Sequence, residues 1–259
     1  MNSDSITAHL KTARIGREVL VYASTASTND AVWHYASNKK NDGLVIFAEQ
    51  QLAGRGRGGN KWLSQKGQSI LCSILLLNET CQPEMLTLAA AVAVAEAIGR
   101  CGSKQAQIKW PNDILIGGKK VAGILVESKR SKSHFNYVIG VGINCNQRKE
   151  SFPPDLHDIA TSIDIESKTV CDRISLAKRL LVSFDEWLGV MTKDGTAVLD
   201  RWYELSAQLG RRVTLHYNRR SFTGRVLGID PQEGLIVQLE NGGVRMFPAG
   251  QTAMVRCED

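Results

Sequence analysis

The chain has 259 residues, of which 43% are hydrophobic and 22% are charged. These proportions are close to those of ordinary globular proteins, so a disordered, collagen-like or coiled-coil chain is excluded. At roughly 150 residues per domain, the length predicts one large domain and one small one. The net charge of +6 suits an anionic ligand or partner without specifying nucleic acid.

The first half of the chain predicts an α+β fold. In chain order the predicted elements are a helix over residues 29–37, strands over 44–48 and 69–77, a helix over 83–98, and four short strands over 106–110, 114–116, 120–127 and 137–144. Consecutive strands after a helix favour a mixed or mostly antiparallel sheet flanked by helices.

The second half changes its pattern twice. Residues 152–165 contain proline and aspartate and are predicted as a loop, and residues 175–207 carry two helical stretches with apolar spacing. After Gly210 the apolar residues alternate with a period of two between turn signals, which predicts a small β-barrel. The chain is therefore predicted to divide into an N-terminal extension (1–14), a large domain (15–209) and a small barrel domain (210–259).

Cysteine usage and hydropathy indicate the compartment. The six cysteines are scattered and form no C-x-x-C pair, so neither a zinc site nor a disulfide framework is predicted. The start of the chain lacks the apolar core of a signal peptide, and no run of about 18 apolar residues occurs. We expect a cytoplasmic protein with no membrane partner.

A glycine-rich basic loop, GRGRGG, runs from Gly54 to Gly59. Its glycines allow positive φ angles, so backbone N–H groups can surround an anion while Arg55 and Arg57 supply charge and forked donors. The spacing is neither that of a Walker A loop nor that of a Rossmann turn. A phosphate-binding loop and a flexible surface loop are both open at this point.

A second polar segment, KWPND, spans residues 109–113. Pro111 turns the chain out of the sheet, and Asn112 with Asp113 favours a turn, so an ammonium, an amide and a carboxylate project from one strand end. Mg²⁺ in nucleotide sites is usually held by one or two carboxylates and by phosphate oxygens. The segment is either a magnesium and phosphate site or an ordinary polar turn.

Two predicted strands are interrupted by glycine, in GKKVAGILVE (118–127) and GVGIN (140–144). A glycine inside a strand indicates that another group approaches the backbone closely. Gly123 and Gly142 therefore predict one shared pocket floor on which a ligand lies. Lys119 and Lys120, at the hairpin tip before Gly123, are either solvated or directed at that pocket.

These segments together resemble the biotin protein ligases, also called biotin–[acetyl-CoA carboxylase] ligases. STN at Ser27, Gln51 with GRGR, KWPND, GKKVAGILVE and GVGIN occur in the order and approximate spacing of that family. The likeness covers about residues 15–259, and GRGR with KWPND is its most specific part, which the related lipoate ligases lack. It implies a class II synthetase-like catalytic domain that binds biotin and ATP, followed by an SH3-like barrel.

The resemblance also implies a two-step reaction. Biotin and ATP give biotinyl-5′-AMP and pyrophosphate, and a lysine of a biotin carboxyl carrier protein then displaces AMP to form an amide. The first nucleophile is the carboxylate of biotin, so the protein contributes positioning and charge neutralisation. This agrees with the lack of a Ser-His-Asp or Cys-His pattern in the sequence.

Residue roles follow from the same resemblance. The implied biotin-binding residues are Ser27, Thr28, Asn29, Gln51, Arg55, Lys120, Gly123 and Leu125. The implied ATP-binding residues are Arg55, Gly56, Arg57, Trp62, Lys109, Asn112, Lys120 and Asn144. The implied catalytic residues are Lys120, Arg55, Arg57 and Asp113, and the implied ligands of the Mg²⁺ cofactor are Asp113 and Asn144.

The sequence departs from the family pattern in two places. Members that double as repressors carry a winged helix-turn-helix domain ahead of the STN segment, whereas only 26 residues precede Ser27. We therefore expect no DNA binding and no repressor function. Many members continue the basic loop with further arginines where this chain has Gly58 and Asn60. We expect this difference to alter how strongly the loop binds phosphate and whether a homodimer forms through the loop.

Two other functional classes are open. A lipoate or octanoyl ligase or transferase of related fold is the nearer alternative, but a linear acyl chain offers no ureido group to Ser27, Thr28 and Gln51. A non-enzymatic nucleic-acid binder would use GRGRGG and the arginines at 211, 212, 219 and 220. It predicts a steep salt dependence of binding and no ATP turnover.

Overall fold

The computed structural model describes residues 1–100, 105–131 and 134–258; Cys101 lies outside these ranges. Seven strands form one sheet in the order β1-β2-β3-β7-β6-β5-β4. Their bounds are β1 (Val19–Tyr22), β2 (Val45–Ala48), β3 (Ser69–Glu79), β4 (Gln107–Lys109), β5 (Asp113–Ile116), β6 (Lys119–Ser131) and β7 (His134–Asn144). β1 runs parallel to β2 and the other neighbours are antiparallel. The predicted mixed sheet is confirmed.

The helices pack around this sheet. They are α1 (Ser3–Thr7), α2 (Thr28–Trp33), α3 (Pro83–Gly99), α4 (Ile163–Ser167), α5 (Arg173–Lys193) and α6 (Gly195–Leu205). α3 lies between strands β4 to β6 on one side and α5 and α6 on the other. Its alanines are buried all round, as expected of a helix that is apolar on every face. Within the described ranges, no helix is both long and apolar enough to cross a bilayer.

A second sheet follows α6 and forms the C-terminal domain. Its five strands are all antiparallel, in the order β11-β10-β9-β8-β12. They are β8 (Arg212–Tyr217), β9 (Arg220–Asp230), β10 (Gly234–Leu239), β11 (Val244–Phe247) and β12 (Thr252–Cys257). The predicted period of two is confirmed, because Val213, Leu215, Leu235 and Val237 are all buried. The domain boundary near Gly210 remains a prediction.

Some local expectations were wrong. The helix expected over residues 29–37 ends at Trp33, and the chain continues to Ala36 in tighter i→i+3 turns. The expected loop over 152–165 runs into α4. The N-terminal extension over 1–14 stays a prediction; it contains α1, which was not predicted and whose Ile6 is buried in the core. β1 was not predicted either. These elements are four to six residues long, too short for hydrophobic periodicity to identify them.

Candidate active site

Two adjoining cavities, which together we call the cleft, lie on the face of β6 and β7, beneath the glycine-rich loop. The first cavity is lined by every predicted site residue except Lys109 and Asn144. Those two line the second cavity, which shares Trp62, Asp113 and Lys120 with the first. The structure therefore brings together residues that lie more than a hundred positions apart in the chain.

The buried end of the first cavity is a polar cluster at the start of α2. Ser27, Thr28 and Asn29 are all buried, and Gln51 Oε1 accepts from Thr28 N at 2.8 Å and from Thr28 Oγ1 at 2.9 Å. Beneath them, Ser73 Oγ lies 2.7 Å from Thr28 Oγ1 and 2.6 Å from Asn29 Oδ1. The cluster is thus held in place by hydrogen bonds from two sides.

Two donors in the first cavity are unsatisfied. Asn29, which is 3% exposed, and Trp62 each place a side-chain N–H where no described residue accepts it. Buried donors without a partner cost free energy, and most buried polar groups in proteins are hydrogen-bonded. Both residues line one cavity, but the two nitrogens are covered where they pack against Gly140 and Gly142, so a ligand acceptor reaches them only after the side chains move.

The glycines form a shared floor, as the sequence predicts. Gly123 of β6 pairs directly with Gly142 of β7. A Cβ at Gly142 would overlap the Trp62 indole, and a Cβ at Gly140 would overlap the Asn29 amide. The close approach to the strands is therefore made here by the side chains of Trp62 and Asn29. Any larger residue would displace one of them.

A bulge directs Lys120 into the cleft. Lys120 pairs with Leu115 and Ala122 pairs with Ile114, so Val121 is an extra residue in β6. Such a bulge re-aims the neighbouring side chain. As a result Lys120 lies over Gly123, and its Nζ is 2.6 Å from Asp113 Oδ1. This ion pair sits where the two cavities meet.

The glycine-rich loop closes on itself above the cleft. Gly56 N donates to Asn60 O, and Trp62 N donates to Gly54 O, at 2.7 and 2.9 Å. Gly58 and Gly59 have φ angles of 63° and 81°, so the predicted need for positive φ is met at these two positions.

The two arginines of this loop have different partners. Arg55 is half-exposed and lies 2.8 Å from carboxylate oxygens of both Asp30 and Glu127 at the rim.

Arg57 donates to Asn112 Oδ1 at 3.3 Å and to Ala249 O, in the C-terminal domain, at 2.6 Å. Burial lowers the pKa of Arg57, and the negative charge of Asp113 opposes that shift. Arg57 thus joins the cleft to the C-terminal domain, a contact that the sequence did not indicate.

The far wall of the second cavity is the segment after β7. Asn144 Nδ2 donates to Thr161 O at 3.0 Å, and Asn144 Oδ1 accepts from Gln147 Nε2 at 3.2 Å. Phe152, Leu156 and Ile159 complete this wall. The sequence predicted a loop here and assigned it no role, because a loop without charged motifs gives no chemical signal.

The candidate Mg²⁺ ligands already have partners. Asp113 faces Lys120, and the amide oxygen of Asn144 faces Gln147. Across the described ranges there is no group of three or more His, Cys, Asp or Glu side chains arranged to hold a metal.

Ser73 was missed in the sequence, and neither of the positions left open there for Lys119 is the one observed. Ser73 is the second serine of the predicted strand SILCSILLL, and a polar residue inside an apolar run was the available signal. Lys119 donates to His157 O at 3.0 Å, so it is not simply solvated. Nothing in the local sequence indicates that contact.

Comparison with known families identifies both parts of the chain. Residues 21–144 match the biotin/lipoate A/B protein ligase family. Residues 209–251 match the biotin protein ligase C terminal domain. The two matches correspond to the large mixed sheet and to the C-terminal sheet.

Two relatives and one solved structure extend over most of the chain. Bifunctional ligase/repressor BirA of Bacillus spizizenii is 34% identical over 256 residues, covering 96% of this chain and 78% of the relative. Biotin–[acetyl-CoA-carboxylase] ligase of Paracoccus denitrificans is 29% identical, covering 88% and 97%. The structure of biotin protein ligase from Aquifex aeolicus in complex with biotin and ATP is similar with a TM-score of 0.80 at 28% identity, covering 93% and 99%.

Proposed function

The chain belongs to the biotin protein ligase family, and from that premise we propose how its cleft works. It activates biotin with ATP to biotinyl-5′-AMP and transfers the biotin to a specific lysine of a biotin carboxyl carrier protein. The observation that carries this proposal is the position of the Lys120–Asp113 pair. It stands between the cavity that ends in the buried polar cluster and the second cavity, which adds Lys109 and an apolar wall.

Biotin occupies the first cavity, with its ureido ring at the buried end. The ureido N–H groups donate to hydroxyl and amide oxygens around Thr28 and Gln51, and the ureido carbonyl accepts from Asn29 once its covered amide turns toward the ligand. A linear lipoyl or octanoyl chain would leave these polar groups unpaired at a cost in free energy. The acyl-transfer alternative is therefore disfavoured.

ATP occupies the second cavity. Of the residues that the resemblance implies for ATP, Trp62, Lys109, Lys120 and Asn144 line it, whereas Arg55, Gly56, Arg57 and Asn112 line the first cavity. Lys109, Lys61 and Lys120 supply positive charge for the phosphates. Phe152, Leu156 and Ile159 offer an apolar surface to the base, and Trp62 lies at the junction with the first cavity. This division places the carboxylate of biotin and the α-phosphate on either side of Lys120.

Lys120 acts in both steps through its charge. In the first step a carboxylate oxygen of biotin bonds to the α-phosphorus, the bond to the β-phosphate oxygen breaks, and pyrophosphate leaves. The ammonium of Lys120 stabilises the negative charge that concentrates between these groups. In the second step the carrier amine bonds to the biotinyl carbon and AMP leaves, while Asp113 accepts the proton of the amine.

Mg²⁺ would bind near Asp113 together with the triphosphate of ATP. Mg²⁺ usually keeps several waters and takes one or two protein carboxylates beside phosphate oxygens. Asp113 provides one carboxylate, and Asn144 would have to release Gln147 to provide its oxygen. The ion would supply neutralisation of phosphate charge.

The test is exchange of labelled pyrophosphate into ATP. We expect exchange that requires biotin and Mg²⁺ and that lipoate does not support. Transfer is then measured with a carrier protein and with a carrier whose acceptor lysine is replaced by arginine. Exchange that lipoate supports as well as biotin would refute the assignment, and equal labelling of the two carriers would refute lysine-specific transfer.

A further inference from the structure

Lys119 and Lys120 are neighbours on β6, but they contact different parts of the molecule. Lys120 turns into the cleft and pairs with Asp113. Lys119 Nζ donates to His157 O at 3.0 Å and lies 4.0 Å from Asp158 Oδ1. Successive side chains of a strand point to opposite faces. Lys119 is accordingly not among the described residues that line either cavity.

Lys119 holds the stretch of chain that closes the second cavity, residues 152–161, which we call the covering segment. The backbone of Lys120 binds the end of this segment, because Lys120 N donates to Ile159 O at 2.8 Å and Thr161 N donates to Lys120 O at 2.9 Å. The ammonium of Lys119 adds a hydrogen bond to the backbone carbonyl of His157, two residues before Ile159. The hairpin tip therefore binds the covering segment through the backbone of Lys120 and the side chain of Lys119.

The covering segment touches only one of the two cavities. Phe152, Leu156 and Ile159 line the second cavity. Among the residues that the structure describes, none from this segment lines the first cavity. A change in how the segment is held should therefore alter the second cavity and leave the buried polar cluster of the first cavity unchanged.

We propose that Lys119 is a positioning residue that keeps the covering segment over the nucleotide. This role of Lys119 rests on the proposed function, because it requires that the second cavity is the ATP site. A charged donor strengthens a hydrogen bond to a carbonyl relative to a neutral one. Ile159, next to this contact, is 59% exposed, so the apolar burial of its side chain adds little to hold this part of the segment. Lys119 thus sets the affinity for ATP and the retention of the adenylate, and it leaves biotin affinity unchanged.

The test compares Lys119→Ala with Lys119→Arg, which keeps a charged donor, and with Lys39→Ala, which removes an exposed lysine from a short 3₁₀ helix elsewhere. We expect Lys119→Ala to raise the KM for ATP in biotin-dependent pyrophosphate exchange by about fivefold, the usual worth of one hydrogen bond. Adenylate dissociation should accelerate similarly. Biotin affinity, measured by calorimetry, should not change, and Lys119→Arg should restore both nucleotide values.

Several outcomes would overturn the proposal. An unchanged KM for ATP and an unchanged adenylate off-rate would mean that Lys119 is a solvated lysine. An equal loss of biotin affinity would mean a general structural role. A parent enzyme without biotin-dependent exchange would refute the proposed function itself and, with it, the nucleotide role. An active parent with an unaffected Lys119→Ala variant would refute only the role of Lys119.

Discussion

The floor of the cleft and its cover are built in different ways. The floor consists of paired residues of β6 and β7, and its glycines lie in register across the two strands. The cover consists of the glycine-rich loop and the covering segment. It is held by side-chain contacts of Arg55, Arg57, Lys119 and Asn144 and by two backbone hydrogen bonds of Lys120. Sheet hydrogen bonds resist local opening, whereas partly exposed loops open at low cost. Substitutions in the floor should therefore abolish binding or chemistry, and substitutions in the cover should alter retention.

The largest effect is expected at Lys120, which projects from the floor. Lys120→Ala should lower the rate of adenylation at saturating substrates by about 10², or on the order of 3 kcal/mol, because an ammonium facing both reacting anions is lost. Single-turnover formation of the adenylate measures this rate. Lys119→Ala is the matched control, and its rate at saturation should be close to that of the parent. Equal rate losses in the two variants would contradict the difference between the two lysines.

The glycine floor should tolerate no added side chain. Gly142→Ala should weaken biotin binding by about tenfold or more, because the new methyl displaces Trp62 and overpacking costs about 1–3 kcal/mol. Isothermal titration with biotin measures the affinity. Gly189→Ala is the control, since the methyl it would add meets no atom of the described residues within 4 Å apart from its chain neighbours and the backbone of its own helix. Normal biotin affinity in Gly142→Ala would show that the floor is as adaptable as the cover.

Arg57 tests the cover from the side of the glycine-rich loop. Arg57→Gly should preserve fair biotin binding but raise the adenylate off-rate by about tenfold, because a charge-assisted donor and the link to Ala249 are both removed. Escaped adenylate acylates nearby amines, so the variant should biotinylate bulk proteins. Adenylate dissociation and off-target labelling are measured for variant and parent. An unchanged off-rate with clean carrier specificity would mean that Arg57 does not retain the adenylate.

The smallest effect is expected beside the floor, at Ser73 of β3, which pairs with Gly140 of β7. Ser73→Ala removes a hydroxyl that supports Thr28 and Asn29, so biotin affinity should fall by about fivefold, as for one hydrogen bond. The KM for ATP should not change. Ser183→Ala is the control, because this buried serine of α5 has no hydrogen-bond partner within the described part of the chain. A parallel change in the KM for ATP would contradict the separation of the two cavities.

Local chemistry and the family resemblance together predicted most of the cleft. GRGR, KWPND and the two glycine-interrupted strands carry polar or glycine residues where an apolar strand or ordinary turn would not need them, and the resemblance added STN and Gln51. These segments converge on the two cavities. Their roles toward biotin, ATP and Mg²⁺ remain proposals, because residue identity shows which chemistry is available and not which ligand atom each group meets.

Contacts between distant segments could not be predicted in this way. The link from Arg57 to Ala249 spans 192 residues, and the donation from Lys119 to His157 depends on where a loop of mixed composition returns to the sheet. Short elements such as α1 and β1 were also missed. They are stabilised by packing against the rest of the fold, since isolated segments of that length have too few internal contacts to be stable.

The sequence by itself determined the fold class, the order of the main strands and helices, and the chemical groups available to the cleft. Periodicity of apolar residues and the turn preference of glycine, proline and asparagine are local properties, so they can be recognised in one chain. The tertiary structure decided which of these groups meet. The extra residue at Val121 sends Lys120 toward Asp113, and pairing of β6 with β7 places Gly123 beside Gly142. Register and bulges arise from the packing of whole strands against each other, which no single segment specifies.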